Sequence, residues 1–185
     1  IIQEDARRLT RDELIAHADM VVTLSMNGYA KRTNLSTYKL QHRGGKGVLG
    51  MRTTKEDDVI HHTLVTDTKD TILLFTDGGK VFSFKCYHIP EDISRTTRGT
   101  PIKVLIPSLP ENERITSIVA LSDLRQGGFL SLGTQRGIIK RVPLDRFASI
   151  RSIGIIAMDL DEGDHLISAR ATRDGDEIMV VTRNG

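Results

Sequence analysis

Short apolar runs, each broken by a glycine turn, recur along the chain. The first reads Val21-Val22-Thr23-Leu24-Ser25-Met26-Asn27-Gly28-Tyr29-Ala30-Lys31-Arg32. Ile72-Leu73-Leu74-Phe75-Thr76-Asp77-Gly78-Gly79-Lys80-Val81-Phe82 repeats it, as does Phe129-Leu130-Ser131-Leu132-Gly133-Thr134-Gln135-Arg136-Gly137-Ile138-Ile139-Lys140-Arg141. A further copy opens at Ile178-Met179-Val180-Val181-Thr182-Arg183-Asn184-Gly185. Asn-Gly and Asp-Gly between apolar runs predict tight β-hairpins, because these residues tolerate the positive φ such a turn requires. The turn glycines Gly28, Gly79, Gly137 and Gly185 stand 51, 58 and 48 residues apart.

The second half of each unit repeats as well. Arg43-Gly44-Gly45-Lys46-Gly47, Arg95-Thr96-Thr97-Arg98-Gly99 and Arg151-Ser152-Ile153-Gly154 lie at matching places. Each precedes an apolar stretch that predicts a strand, over 48–51, 102–106 and 155–160. Acidic turns follow at Glu56-Asp57-Asp58, Glu111-Asn112-Glu113 and Asp161-Glu162-Gly163-Asp164, then strands over 59–65, 115–121 and 165–171. Four short antiparallel strands per unit of about fifty residues are the signature of a propeller blade. The expected fold is therefore all-β. A lead-in covers 1–19, blade-like units cover roughly 20–70, 71–127 and 128–177, and part of a fourth covers 178–185. One short helix is expected over 10–17, where Thr10-Arg11-Asp12-Glu13 can cap it. Tryptophan is absent and aromatics are 4%, which weighs against a propeller built on Trp-Asp repeats.

Hydrophobic residues at 38% and charged residues at 27% are ordinary for a globular domain. No apolar run is long enough to span a bilayer, and Ile1-Ile2-Gln3-Glu4-Asp5 lacks a signal-peptide pattern. The single cysteine, Cys86, rules out an internal disulfide, suits a reducing cytoplasm and reads as a buried, inert thiol. The net charge of +2 does not announce a nucleic-acid partner. Its distribution says more. Residues 25–55 carry seven basic side chains and no acid, 56–77 carry six acids against Lys69, and 132–158 and 159–177 repeat that swing at +4 and −5. Such alternation fits a repeat protein with one basic rim.

The sharpest local feature is Gln41-His42-Arg43-Gly44-Gly45-Lys46-Gly47. Its three glycines let backbone N–H groups approach an anion without Cβ interference, and Arg43 and Lys46 add charged donors. It is not a nucleotide-binding Walker loop, since Gly47 follows Lys46 where Ser or Thr is required. A plain loop between two strands also accounts for the Gly-Gly pair, so local chemistry leaves both readings open.

This segment resembles the seven-residue box Gln-Arg-Arg-Gly-Gly-Lys-Gly that marks the C-terminal DNA-wrapping domain of the DNA gyrase A protein; six positions match and His42 departs. Asp12-Glu13-Leu14-Ile15-Ala16, Met20-Val21-Val22-Thr23-Leu24-Ser25 and Gly28-Tyr29-Ala30-Lys31-Arg32 are similar to the same family. The related topoisomerase IV proteins, which usually carry a degenerate box or none, are the alternative. The resemblance implies a β-pinwheel, a propeller-like disc whose blades exchange strands, with duplex DNA bent and wrapped around a basic perimeter without sequence preference. It implies that Gln41, His42, Arg43, Gly44, Gly45, Lys46 and Gly47 hold the end of the wrapped segment. Further candidates for the DNA-facing rim are Arg95, Arg98 and Arg151, with Lys31, Arg32, Lys80, Lys85, Lys140 and Arg141. A neutral imidazole at His42 weakens the box. The implied partners are duplex DNA, the rest of the gyrase A protein and the gyrase B protein. The chain itself needs no cofactor; ATP and Mg belong to the whole supercoiling enzyme, whose DNA-cleaving tyrosine lies in the N-terminal part.

Catalysis by this chain is not expected. His61 and His62 are adjacent and on a regular strand point to opposite faces, so they cannot chelate one metal. Gly128-Phe129-Leu130-Ser131-Leu132-Gly133 is not a nucleophile elbow. Tyr29, Tyr38 and Tyr87 read as packing residues, and the acidic turns as solvated turn formers. The main rival is a protein-binding propeller, which needs one focused patch rather than charge repeated around the rim.

Overall fold

The computed structural model describes residues 11–38, 58–93 and 97–181. The lead-in forms only one helical turn, α1 (Arg11–Leu14), shorter than the expected helix. Three hairpins follow: β1 (Asp19–Ser25) with β2 (Tyr29–Asn34), β4 (Thr71–Thr76) with β5 (Lys80–Lys85), and β8 (Phe129–Thr134) with β9 (Ile139–Pro143). Each first strand also pairs on its other side with the last strand of its unit: β3 (Ile60–Asp67), β7 (Ile115–Leu121) and β11 (Leu166–Thr172). Every pairing between these strands is antiparallel, as expected for an all-β propeller-like chain.

The fourth strand is supplied by the following unit. β6 (Thr100–Pro101) pairs with β2, and β10 (Ile155–Ile156) pairs with β5. The sheet orders are β3-β1-β2-β6 and β10-β5-β4-β7, with β11-β8-β9 as the third sheet. The crossing segment is fixed the same way twice. The N–H of Ile102 donates to Gly28 O at 2.7 Å, and that of Ala157 to Gly79 O at 2.9 Å.

The hairpin turns share one hydrogen-bond pattern. Gly28, Gly79 and Gly137 donate N–H to the carbonyls of Ser25, Thr76 and Thr134, each at 3.0 Å. The hydroxyls of the same three residues accept N–H bonds from Tyr29, Lys80 and Ile138 at 3.1–3.2 Å. Alternation along the strands then builds two cores between neighbouring sheets. Met20, Val22 and Leu24 face Ile72, Leu74 and Phe82 in one. Leu73, Phe75 and Val81 face Leu130, Leu132, Phe147 and Leu166 in the other. Ile72–Phe75 is apolar at every position because β4 is buried on both faces. Burying one such side chain stabilises by about 1.5–3 kcal/mol.

Three sequence expectations change. The strand expected over 102–106 is a helical turn, α2 (Ile102–Leu105), preceded by Pro101 as its N-cap. Ile102 and Ile106 are buried while Lys103 and Val104 are exposed, a spacing of four rather than two. The strand expected over 155–160 ends after Ile156, because Ala157 and Met158 are buried in succession and both donate N–H to Gly79 O. In place of the hairpin strand expected from Ile178, residues 178–181 join no sheet and line a groove beside Leu132 and Ile139.

Candidate nucleic-acid interface

The strands that approach one another between sheets are β3, β7 and β11; the opposite edge is the short crossing strand with the loop that precedes it in the first two sheets, and β9 in the third. Gln41 through Gly47, and Arg95, lie outside the described residues.

Arg98 lies on the loop before β6, its guanidinium carbon 3.6 Å from the centre of the Tyr29 ring. Arg151 lies on the loop before β10, exposed and without a side-chain hydrogen bond or ion pair among the described residues. Arg146, which sequence reasoning misses, is exposed in the 3-10 turn Leu144–Phe147 of the same loop, also without such a partner among the described residues. Its signal was its position between two buried residues, Leu144 and Phe147, in a basic stretch.

The hairpin cations behave differently. Lys31 is 1% exposed, its Nζ donates to Thr97 O at 3.1 Å, and burial lowers its pKa while Asp92 opposes that shift. Arg32 donates Nε to Ile89 O at 2.6 Å and Nη1 to the Glu91 carboxylate at 3.0 Å. Both hold the following unit against β2, so the solvent-facing rim expected for them is corrected: Lys31 is inside, and Arg32 is a strut between units. Lys80 pairs with Glu113 at 3.0 Å, and Lys85 donates to Lys69 O and the Thr71 hydroxyl. Lys140 and Arg141 hold the same register positions in the third sheet as Lys31 and Arg32 in the first, opposite Leu132 and Ser131. There they are exposed. Lys140 donates to Ala157 O, while Arg141 stacks on Phe129 and pairs with Asp174 at 2.9 Å.

The acidic turns are not simply solvated. Asp58 and Asp164 are buried, and each accepts a hairpin-turn N–H at 3.1 Å, from Asn27 and Arg136 respectively. In the middle unit Glu113 accepts from the Thr76 hydroxyl at 2.6 Å. Burial alone would raise the Asp164 pKa. The Thr134 hydroxyl and the N–H groups of His165 and Arg136 outweigh it and hold the carboxyl below its ordinary range. An acid thus latches each hairpin.

Nucleophilic chemistry finds no support in the one thiol, since Cys86 is fully buried and desolvation pushes its pKa up to about 11. Among the described residues no group of three His, Cys, Asp or Glu could hold a metal, and no helix is long and apolar enough to cross a membrane.

Three successive antiparallel sheets, the first two completed by a strand of the next unit, define a propeller-like repeat domain. The family described as "DNA gyrase C-terminal domain, beta-propeller" matches residues 19–67, 70–122 and 129–173, and the chain belongs to it. The DNA gyrase A protein of Dehalogenimonas lykanthroporepellens is 44% identical over 94% of this chain, and that of Mycobacterium tuberculosis 41% over 94%. The chain spans about a fifth of these relatives' length (21% and 20%). The solved structure of a DNA gyrase A C-terminal domain superposes with a TM-score of 0.69 at 29% identity, covering 84% of this chain and 48% of that one. A DNA topoisomerase IV C-terminal domain gives 0.69 at 26%, covering 86% and 47%.

Proposed function

We propose that this chain binds, bends and wraps duplex DNA through its phosphate backbone, independent of sequence, and does no bond chemistry itself. Membership of the gyrase C-terminal family carries this reading. Arg98, Arg146 and Arg151, on the loops before the outer strands, support it. The wrapped DNA serves ATP-dependent negative supercoiling by a cytoplasmic enzyme in which the rest of the gyrase A protein and the gyrase B protein supply cleavage and ATP hydrolysis. Repeated cations suit a polyanion because each neutralised phosphate releases counterions, whereas no helix among the described residues offers itself to a major groove. Bending a 20–30 base-pair site by 40–90° costs on the order of 1–6 kcal/mol, so contacts spread around a rim are needed to hold it. Titrating two unrelated duplexes across a range of salt tests the reading. Equal affinities that fall steeply with salt are expected; a flat salt response or strong preference for one sequence refutes it.

A further inference from the structure

The first residue of β2 and the loop before β6 meet at one point. Tyr29 is the register partner of Pro101 in β6, and its N–H donates to Ser25 Oγ at 3.1 Å, so hairpin and crossing strand together fix its backbone. Gly99, just before β6, has φ +84° and lies so close to β2 that a Cβ there would stand 2.5 Å from Ala30 O. Only glycine fits that seat. It brings Arg98 back over Tyr29, with the guanidinium carbon 3.6 Å from the ring centre.

Stacking on an aromatic face occupies one flat side of a guanidinium and leaves its in-plane N–H groups unused. Arg98 Nε is buried without a hydrogen-bond partner. The two terminal nitrogens make no hydrogen bond or ion pair among the described residues, yet they are not buried, so solvent reaches them. Arg141 is the contrasting case. It stacks on Phe129 at the same 3.6 Å but commits Nη2 to Arg173 O and the Asp174 carboxylate. One stack is closed by the protein and the other is open. The next junction has no counterpart, because Lys80 and Ile153 hold the places of Tyr29 and Arg98 there.

We propose that Tyr29 is a positioning residue: its ring holds the Arg98 guanidinium flat, with the terminal N–H groups toward solvent, to take one phosphate of duplex DNA. The assignment rests on the DNA-binding reading above. A free arginine gives up rotamer freedom when it grips a phosphate, whereas one already stacked gives up less for each bond formed. The guanidinium keeps its full charge on the ring, and its paired terminal donors match two phosphate oxygens. The Tyr29 hydroxyl has no part in this, so phenylalanine serves equally well.

The test has two arms. NMR of the free chain follows the Arg98 side-chain signals, which should show a ring-current shift in the wild type and in Tyr29→Phe and lose it in Tyr29→Leu. Fluorescence anisotropy then measures affinity for a labelled duplex across a range of salt. Arg98→Gln should lower the salt slope by about 1. Tyr29→Leu should weaken binding about two- to fivefold, the worth of an exposed cation–π contact, and Tyr29→Phe should not. Adding Tyr29→Leu to Arg98→Gln should cost nothing further. Arg98→Lys keeps the charge, loses the flat fork and leaves β2 untouched; it should weaken binding by a similar factor with the slope retained. Additive losses in the double variant, full affinity in Tyr29→Leu or Arg98→Lys, or an unshifted Arg98 signal in the wild type overturns the proposal while DNA binding by the chain stands. A flat salt response in the wild type overturns the DNA-binding reading, and this assignment with it.

Discussion

Gly79 and Gly137 occupy the same turn position at φ +79° and +85°, but only Gly79 lies beneath a strand of the next unit. Alanine at either position pays for the left-handed backbone, about 1–2 kcal/mol. At Gly137 the added methyl meets nothing within 4 Å. At Gly79 it overlaps the Met158 carbonyl oxygen and crowds Leu160 at 3.3 Å. The crossing segment must then withdraw, weakening the N–H bonds from Ala157 and Met158 to Gly79 O at 2.9 and 3.2 Å. Each such bond contributes about 1 kcal/mol net, which brings the total for Gly79→Ala to about 3–4 kcal/mol. Urea unfolding followed by circular dichroism separates the two variants. With a slope of about 2 kcal/mol/M the midpoint should fall by about 1.5–2 M for Gly79→Ala and by about 0.5–1 M for Gly137→Ala. Equal losses would refute the claim that strand exchange fixes the middle sheet.

Asp164 is held below its ordinary pKa, so its contribution is present above the usual aspartate range and is lost as pH falls through its lowered folded value. Asp164→Asn should therefore flatten the acid limb of a stability-versus-pH curve measured by thermal melting. Replacing Arg146 and Arg151 by alanine should weaken all duplexes alike and reduce the salt slope by up to about 2, read by fluorescence anisotropy. Lys31→Met should leave DNA affinity and salt slope unchanged, because Lys31 is buried against Thr97; a reduced slope would return it to the rim.

The hairpins were legible because a tight turn with positive φ advertises its glycine, and because the turns recur at a near-constant interval. The apolar run Ile72–Phe75 likewise announced a strand buried on both faces. Strand exchange was not legible from spacing, since a two-residue strand such as Thr100–Pro101 leaves no periodic trace and its partner is chosen by tertiary packing. Lys31 and Lys140 are the same residue type at the same register. Only the segment that covers β2 makes one of them interior, and a single strand does not encode that cover. His61 and His62 defeated the alternation rule through one extra residue. The acids at 58, 113 and 164 repeated visibly, but their role as buried latches depended on which N–H and hydroxyl groups the fold brings to them.

The central claim, wrapping rather than mere binding, is tested most directly by sealing nicked circular DNA with ligase while this chain is bound, then removing protein and resolving the topoisomers. The account predicts a linking-number distribution that moves progressively with bound protein. It also predicts a smaller movement, at matched occupancy, when Arg43 and Lys46 are both replaced by alanine. A distribution identical to the protein-free control at saturating occupancy would contradict it.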